Sequence, residues 1–257
     1  MLIATWNVNS LRARMPRVLE FLEQHRPAAV CLQETKLHGD AFPHMDFAAA
    51  GYRAVEHSAG QWAGVAILAR NDVEVGEDVV RGLIDEPLPM EARWIEANVG
   101  GIRLISVYVI NGRTLDDPMY AHKLTFLDAM ERRAQQLAGT PYVICGDFNI
   151  APADVDVWNP AAFVGGTHVT PEERDRLTRI LATGAVDAYR HIEPEAVQHT
   201  WWDYRGGNFH RGLGLRIDLA LVSNVLAPRL IRCSIDRDFR KGAKPSDHAP
   251  LLIEFAD

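Results

Sequence analysis

The chain has 257 residues, of which 47% are hydrophobic and 24% charged, a globular composition that excludes a disordered or fibrous protein. No apolar run approaches the length needed to span a membrane. The formal net charge of −7 argues against a coat-like basic nucleic-acid binder, and leaves room for a site that holds cations.

The N-terminus (Met1-Leu2-Ile3-Ala4-Thr5-Trp6-Asn7) turns polar too early for a signal peptide and predicts the first strand, residues 2–6. Met15, Val18, Leu19 and Leu22 then recur at helical spacing. Short apolar runs at 28–32, 64–69, 94–99 and 102–110 predict further strands, the last two joined by Gly100-Gly101 as a hairpin. Tyr120, Leu124, Leu127, Ala134 and Leu137 mark a second helix ending near Gly139. A strand at 142–145 precedes a Pro/Gly-rich loop at 151–166. The third helix is fully punctuated, with Thr170 as cap, Pro171 at the first position, Glu173 closing a capping box and Gly184 past the end. Strands at 217–222, 230–235 and 251–255 complete the chain.

Strands outnumber helices, and several follow one another with no helix between them. That is not the alternation of a doubly wound parallel sheet. The expected architecture is α/β, with two mixed sheets packed face to face and helices outside, in one domain over 1–257. Cys31, Cys145 and Cys233 are odd in number and lie in or beside apolar runs, so free buried thiols and a cytoplasmic location are expected.

Polar residues cluster where strands end, the usual place for a site. Asn7 and Asn9 follow the first strand, Gln33-Glu34-Thr35-Lys36 the second, and Gly146-Asp147-Phe148-Asn149 the run at 142–145. Asp218 lies in Leu215-Arg216-Ile217-Asp218, and Ser246-Asp247-His248 precedes the last strand. Asp147 and Asn149 are two apart and point the same way on extended backbone, and Gly146 lets another group approach closely. Each residue alone would read as turn chemistry; five strand ends together read as an oxygen-rich cation site. Glu34 and Asp247 add oxygen ligands, which suits Mg²⁺, and no His/Cys cluster has zinc spacing. His248 beside carboxylates favours its protonated form, suited to a phosphate contact.

Residues 201–248 carry nine Lys/Arg against five Asp, a balance of +4, leaving −11 for the rest. Arg205, Arg211, Arg216, Arg240, Lys241 and Lys244 flank Trp201-Trp202, and alternation places one tryptophan inward and one outward. Cations with an outward aromatic can grip phosphates and bases.

Eight segments in order carry a family resemblance: residues 6–13, Leu32-Gln33-Glu34-Thr35-Lys36, residues 64–68, residues 146–152, Trp202-Asp203-Tyr204-Arg205, Arg211-Gly212, Leu215-Arg216-Ile217-Asp218, and Ser246-Asp247-His248-Ala249-Pro250. The chain resembles the exonuclease III family of DNA-repair enzymes, within the endonuclease/exonuclease/phosphatase superfamily. The resemblance implies a four-layered, DNase I-like sandwich and a metal-dependent phosphodiester hydrolase. It implies abasic-site incision, 3′→5′ exonuclease and 3′-end cleaning on duplex DNA, by a monomer using Mg²⁺ or Mn²⁺. Tyr108, Asp147, Asn149, Asp218 and His248 would be catalytic. Asn7, Glu34, Asp147, Asn149, Asp247 and His248 would form the metal site. Asn111, Arg113, Trp201, Arg205, Leu215, Arg216 and Ile217 would bind substrate, with Trp201, Leu215 and Ile217 as an apolar pocket for a flipped abasic sugar. Trp62 and the acidic stretch 78–91 carry no assignment. Two rivals remain at this point, a phosphoesterase of the same superfamily acting on a small or lipid phosphoester, and an inactive DNA-binding module.

Overall fold

A computed structural model describes residues 1–256. Every predicted strand and all three predicted helices are present within a few residues. The first sheet contains β1 (Leu2–Asn7), β2 (Ala29–Gln33), β3 (Tyr52–His57), β4 (Val65–Arg70), β11 (Leu230–Ile235) and β12 (Leu251–Phe255), in the order β11-β12-β1-β2-β4-β3. The second contains β5 (Val80–Arg81), β6 (Trp94–Val99), β7 (Ile102–Tyr108), β8 (Tyr142–Asp147), β9 (Ala185–Asp187) and β10 (Asp218–Ser223), in the order β5-β6-β7-β8-β10-β9. Both are mixed: β1–β2 and β7–β8 are parallel and the other pairs antiparallel. The Gly100-Gly101 hairpin forms as expected, pairing Val99 with Ile102.

Alternation along the strands builds the layers. One face of each sheet, including Ile3, Cys31, Ile67, Ile95, Leu104, Val143 and Val222, packs into a shared core. The opposite face of the first sheet is covered by α1 (Leu11–His25) and α2 (His44–Ala49), through Trp6, Phe21, Leu22 and Phe47. The opposite face of the second is covered by α3 (Pro118–Leu137) and α4 (Pro171–Ala182), through Phe126, Leu127, Met130, Leu177 and Ile180. The result is the expected four-layered sandwich. The α4 capping box forms as read, with the Thr170 side chain accepting from Glu173 N and the Glu173 carboxylate accepting from Thr170 N. α5 (Ala188–Ile192) and α6 (Asn208–Arg211) are short additions.

Register decides where function can sit. Tyr108 pairs with Asp147, and Asp147 with Asp218, so three polar side chains share one row at the end of the second sheet. Asn7 pairs with Gln33 at the matching end of the first, one residue before Glu34. Gly146 has φ +152, and a Cβ there would meet the Val107 carbonyl oxygen at 1.9 Å. The close approach read from this glycine is therefore made by the neighbouring strand, and it lets β7 and β8 deliver Tyr108 and Asp147 side by side.

Candidate active site

Strand ends from both sheets converge on one acidic centre. Ligand atoms of Glu34, Asp147 and His248 lie within 4.8 Å of one another. Asn7 bridges two of these residues: its Nδ2 donates to Glu34 Oε1 at 2.8 Å and to Asp147 Oδ2 at 2.9 Å. Asp147 Oδ1 accepts from Asn149 N at 2.9 Å. His248 is held from the far side, with Nδ1 2.8 Å from Asp218 Oδ2 and Nε2 3.8 Å from Asp147 Oδ2. Several backbones here are left-handed, including Asn9, Glu34, Lys36 and Asn149, a concentration of strain typical of functional sites.

The electrostatics follow from burial and charge imbalance. Burial pushes the Asp147 carboxyl up to about 7, and the neighbouring Asp218 and Glu34 act in the same direction against His248. For His248, burial opposes the charged form, but Asp218 and Asp147 outweigh it and raise the imidazole to about 10. His248 is thus an imidazolium at neutral pH. Burial and the Glu34 charge keep the Tyr108 phenol protonated, while the Arg93 guanidinium stacks over its ring at 4.7 Å.

The expected metal-site residues are already hydrogen-bonded to one another and to their neighbours. Asn7 presents its NH₂ to the two carboxylates, and its Oδ1 accepts from Asn9 N at 3.0 Å. The Asn149 amide is also engaged, accepting from Asn111 Nδ2 at 3.1 Å and donating to the Val109 carbonyl at 2.9 Å. Asp247 lies outside the Glu34–Asp147–His248 group; its oxygens accept from Asn9 Nδ2 at 3.0 Å and Trp201 Nε1 at 3.1 Å. The carboxylates around His248 favour its charged form, which suits an anionic oxygen. Glu34 and Asp147 contribute the carboxylate oxygens of this group, donors that would suit a hard divalent cation.

The substrate-side residues divide in the same way. Trp202 is buried and Trp201 half-exposed, as alternation required. Leu215 and Ile217 pack with Ala151 and Val157 under Trp201, Phe163 and Val169. They form a closed floor, fully buried, and Trp201 is the partly exposed wall above it. Arg113 is exposed beside Asn111, and Arg205 is exposed and chelated by Asp203. Arg216 is not in the basic strip. It is fully buried, bound to Asp156 at 2.7 Å and Asp187 at 2.8 Å. Arg240 is buried as well and stacks on Tyr204 and Phe209.

Sequence reading missed the residues that support this centre. Lys36 Nζ lies 2.7 Å from Glu34 Oε2, and Ser246 Oγ donates to the Asn7 carbonyl at 2.7 Å. Thr200 Oγ1 accepts from both Ile217 N and Asp218 N. Lys123, Glu173 and His168 lie beneath Asn149. Lys36 and Ser246 left a signal through their adjacency to Glu34 and Asp247, and Glu173 only as a helix cap.

Two mixed sheets that bring an acidic cation centre and a phosphate-suited imidazolium to one rim define a metal-dependent phosphodiester hydrolase. Residues 4–248 match the Endonuclease/Exonuclease/phosphatase family, and the chain belongs to that family. It is 31% identical to exodeoxyribonuclease III of Haemophilus influenzae, over 98% of each chain. It superimposes with a TM-score of 0.95 on an AP endonuclease from Archaeoglobus fulgidus, at 36% identity and covering 100% of both chains. It matches equally well, with a TM-score of 0.95 and 38% identity over 100% of this chain and 99% of the other, a Neisseria 3′ phosphatase, NExo, bound to a product DNA hairpin.

Proposed function

We propose that this protein is a DNA-repair nuclease that hydrolyses phosphoesters at abasic sites and at 3′ ends of duplex DNA. The observation that carries the reading is the convergence of Glu34, Asp147 and His248 beside the Trp201 wall. The relatives named as exodeoxyribonuclease III, AP endonuclease and 3′ phosphatase support it. Abasic incision, 3′-nucleotide removal and 3′-phosphate removal share one chemical step, in which water attacks phosphorus and the bond to the 3′-oxygen breaks.

Glu34 and Asp147 would hold the divalent ion, taken here as Mg²⁺, which when bound supplies charge neutralisation at the phosphate. Asp147, steadied by Asn7 and by Asn149 N, takes the proton of the attacking water. His248, charged and fixed by Asp218, grips a non-bridging oxygen, and Tyr108 and Asn111 add neutral donors. Arg113 and Arg205 contact the DNA backbone, and Trp201 with the Leu215–Ile217 floor receives a displaced sugar. The same reading treats the chain as one monomeric domain, and three buried free thiols support a cytoplasmic setting.

The test is incubation of the purified protein with duplexes carrying one abasic site, one 3′-phosphate or one recessed 3′ end, with and without Mg²⁺. A soluble phosphomonoester is run alongside. Mg²⁺-dependent cleavage of the DNA substrates supports the reading. Turnover of the soluble ester alone replaces it with the small-phosphoester reading, and no hydrolysis of any substrate leaves a DNA-binding module.

A further inference from the structure

Lys123 is the anomaly of α3. The buried face of this helix runs through Lys123, Phe126, Leu127, Met130, Ala134 and Leu137, so a lysine occupies a position at which the periodicity demands an apolar side chain. Its ammonium is wholly buried, and each of its three protons has an acceptor: Asn149 O at 2.6 Å, Glu173 Oε1 at 2.5 Å and Asn111 O at 3.3 Å. Glu173 is equally buried and saturated. Its Oε1 also accepts from His168 N at 3.0 Å, and its Oε2 accepts from Thr170 N and Thr170 Oγ1.

Buried ion pairs are weak devices for stability, because desolvation offsets the attraction. This pair is placed where three loops must keep register. Asn149 is left-handed, with φ +53, and its carbonyl is gripped from below by Lys123 and by His168 Nδ1, both at 2.6 Å. Its amide N holds Asp147, and its side chain holds Asn111. Gly112 leaves the space for the lysine stem, since a Cβ there would lie 3.3 Å from Lys123 Cδ, and its φ of +89 suits glycine.

We propose that the Lys123–Glu173 pair is a positioning device. It pins the Asn149 carbonyl, and through the Asn149 amide and side chain it sets the aim of Asp147 and Asn111. The consequence for turnover rests on the hydrolase reading above; the consequence for the loop does not.

Lys123→Met keeps the stem and removes the charge, and Glu173→Gln removes the charge and keeps one of its two acceptor oxygens. Each is compared with wild type by melting temperature, by kcat and KM on a 3′-phosphate duplex with Mg²⁺, and by hydrogen exchange of the peptide spanning 147–152. Lys123→Met is expected to lower kcat about a hundredfold, the scale of an ångström-sized misplacement, with KM within about threefold. Exchange in 147–152 should accelerate about tenfold or more while the sandwich strands stay protected. Glu173→Gln should follow in the same direction and less steeply. Unchanged exchange at 147–152 in folded variants overturns the proposal. So does exchange that accelerates everywhere with kcat following the melting temperature, which is a purely structural role. If Lys123→Met does not fold, Glu173→Gln decides alone by the same readouts. If wild type cleaves no DNA substrate, the functional reading fails, and the exchange result still decides whether the pair holds the loop.

Discussion

Asp156, in the short turn at 154–156, and Asp147, at the end of β8, are both buried carboxylates, and burial resolves oppositely at the two. Asp156 meets Arg216 at 2.7 Å and Arg190 at 2.5 Å, and Arg216 reaches on to Asp187. Burial pushes Asp156 up, but the two guanidiniums outweigh it and hold the carboxyl below its usual range. Burial pushes Asp147 up too, and there its one close cation, His248, is outweighed by burial together with Asp218 and Glu34, so its carboxyl rises to about 7. Two Asp against two Arg make a closed structural lattice that fixes the segment carrying Leu215 and Ile217, just before β10. Three carboxylates around one imidazolium, with Lys36 at the margin of Glu34, leave a surplus that a divalent cation would relieve. Charge balance separates the lattice that holds the fold from the centre open to chemistry.

The sharpest way to break that contrast is substitution on each side. Asp147→Asn should cut single-turnover cleavage by about a thousandfold, the scale of lost general-base action, while metal-free DNA affinity stays within about threefold. Cleavage within tenfold of wild type would remove Asp147 from the step. Glu34→Ala should raise the Mg²⁺ concentration for half-maximal rate about tenfold or more, read by metal titration; an unchanged midpoint would end its ligand role.

Asp156→Ala should act on stability, costing about 3–5 kcal/mol in urea denaturation because it leaves Arg216 buried and under-compensated. A loss below about 1 kcal/mol would show that the lattice is not closed as described.

A smaller effect sharpens the electrostatics. His248 titrates at about 10 when folded, against about 6.5 when unfolded. Its stabilising contribution is therefore complete below about pH 6.5 and is lost as pH rises towards 10. The metal-free protein should lose about 2–4 kcal/mol across that window relative to His248→Gln. Parallel pH profiles for the two proteins would contradict the imidazolium assignment.

What was legible in the sequence follows the same division. The run at 142–145 is apolar on both faces and declares itself as a buried strand. β3 reads Tyr-Arg-Ala-Val-Glu-His on a half-covered edge and β9 is three residues long, so neither rises above loop composition. Asp147, Glu34, Asp218 and His248 were visible because acids recur at strand ends. Arg216 was misread because Leu215 and Ile217 share one side of extended backbone and a basic residue between them looks solvent-facing; here the other side is enclosed by Asp156 and Asp187. Amide orientation at Asn7 and Asn149 depends on partners distant in the chain, which spacing cannot reveal.

The central claim is that Glu34 and Asp147 form one divalent-ion site at the sandwich rim. Crystals soaked in Mn²⁺ and measured for anomalous scattering test it directly. A peak is expected within about 2.5 Å of carboxylate oxygens from both Glu34 and Asp147. A peak at Asp247 alone, or ordered Mn²⁺ only among the acids of 78–91, would contradict it.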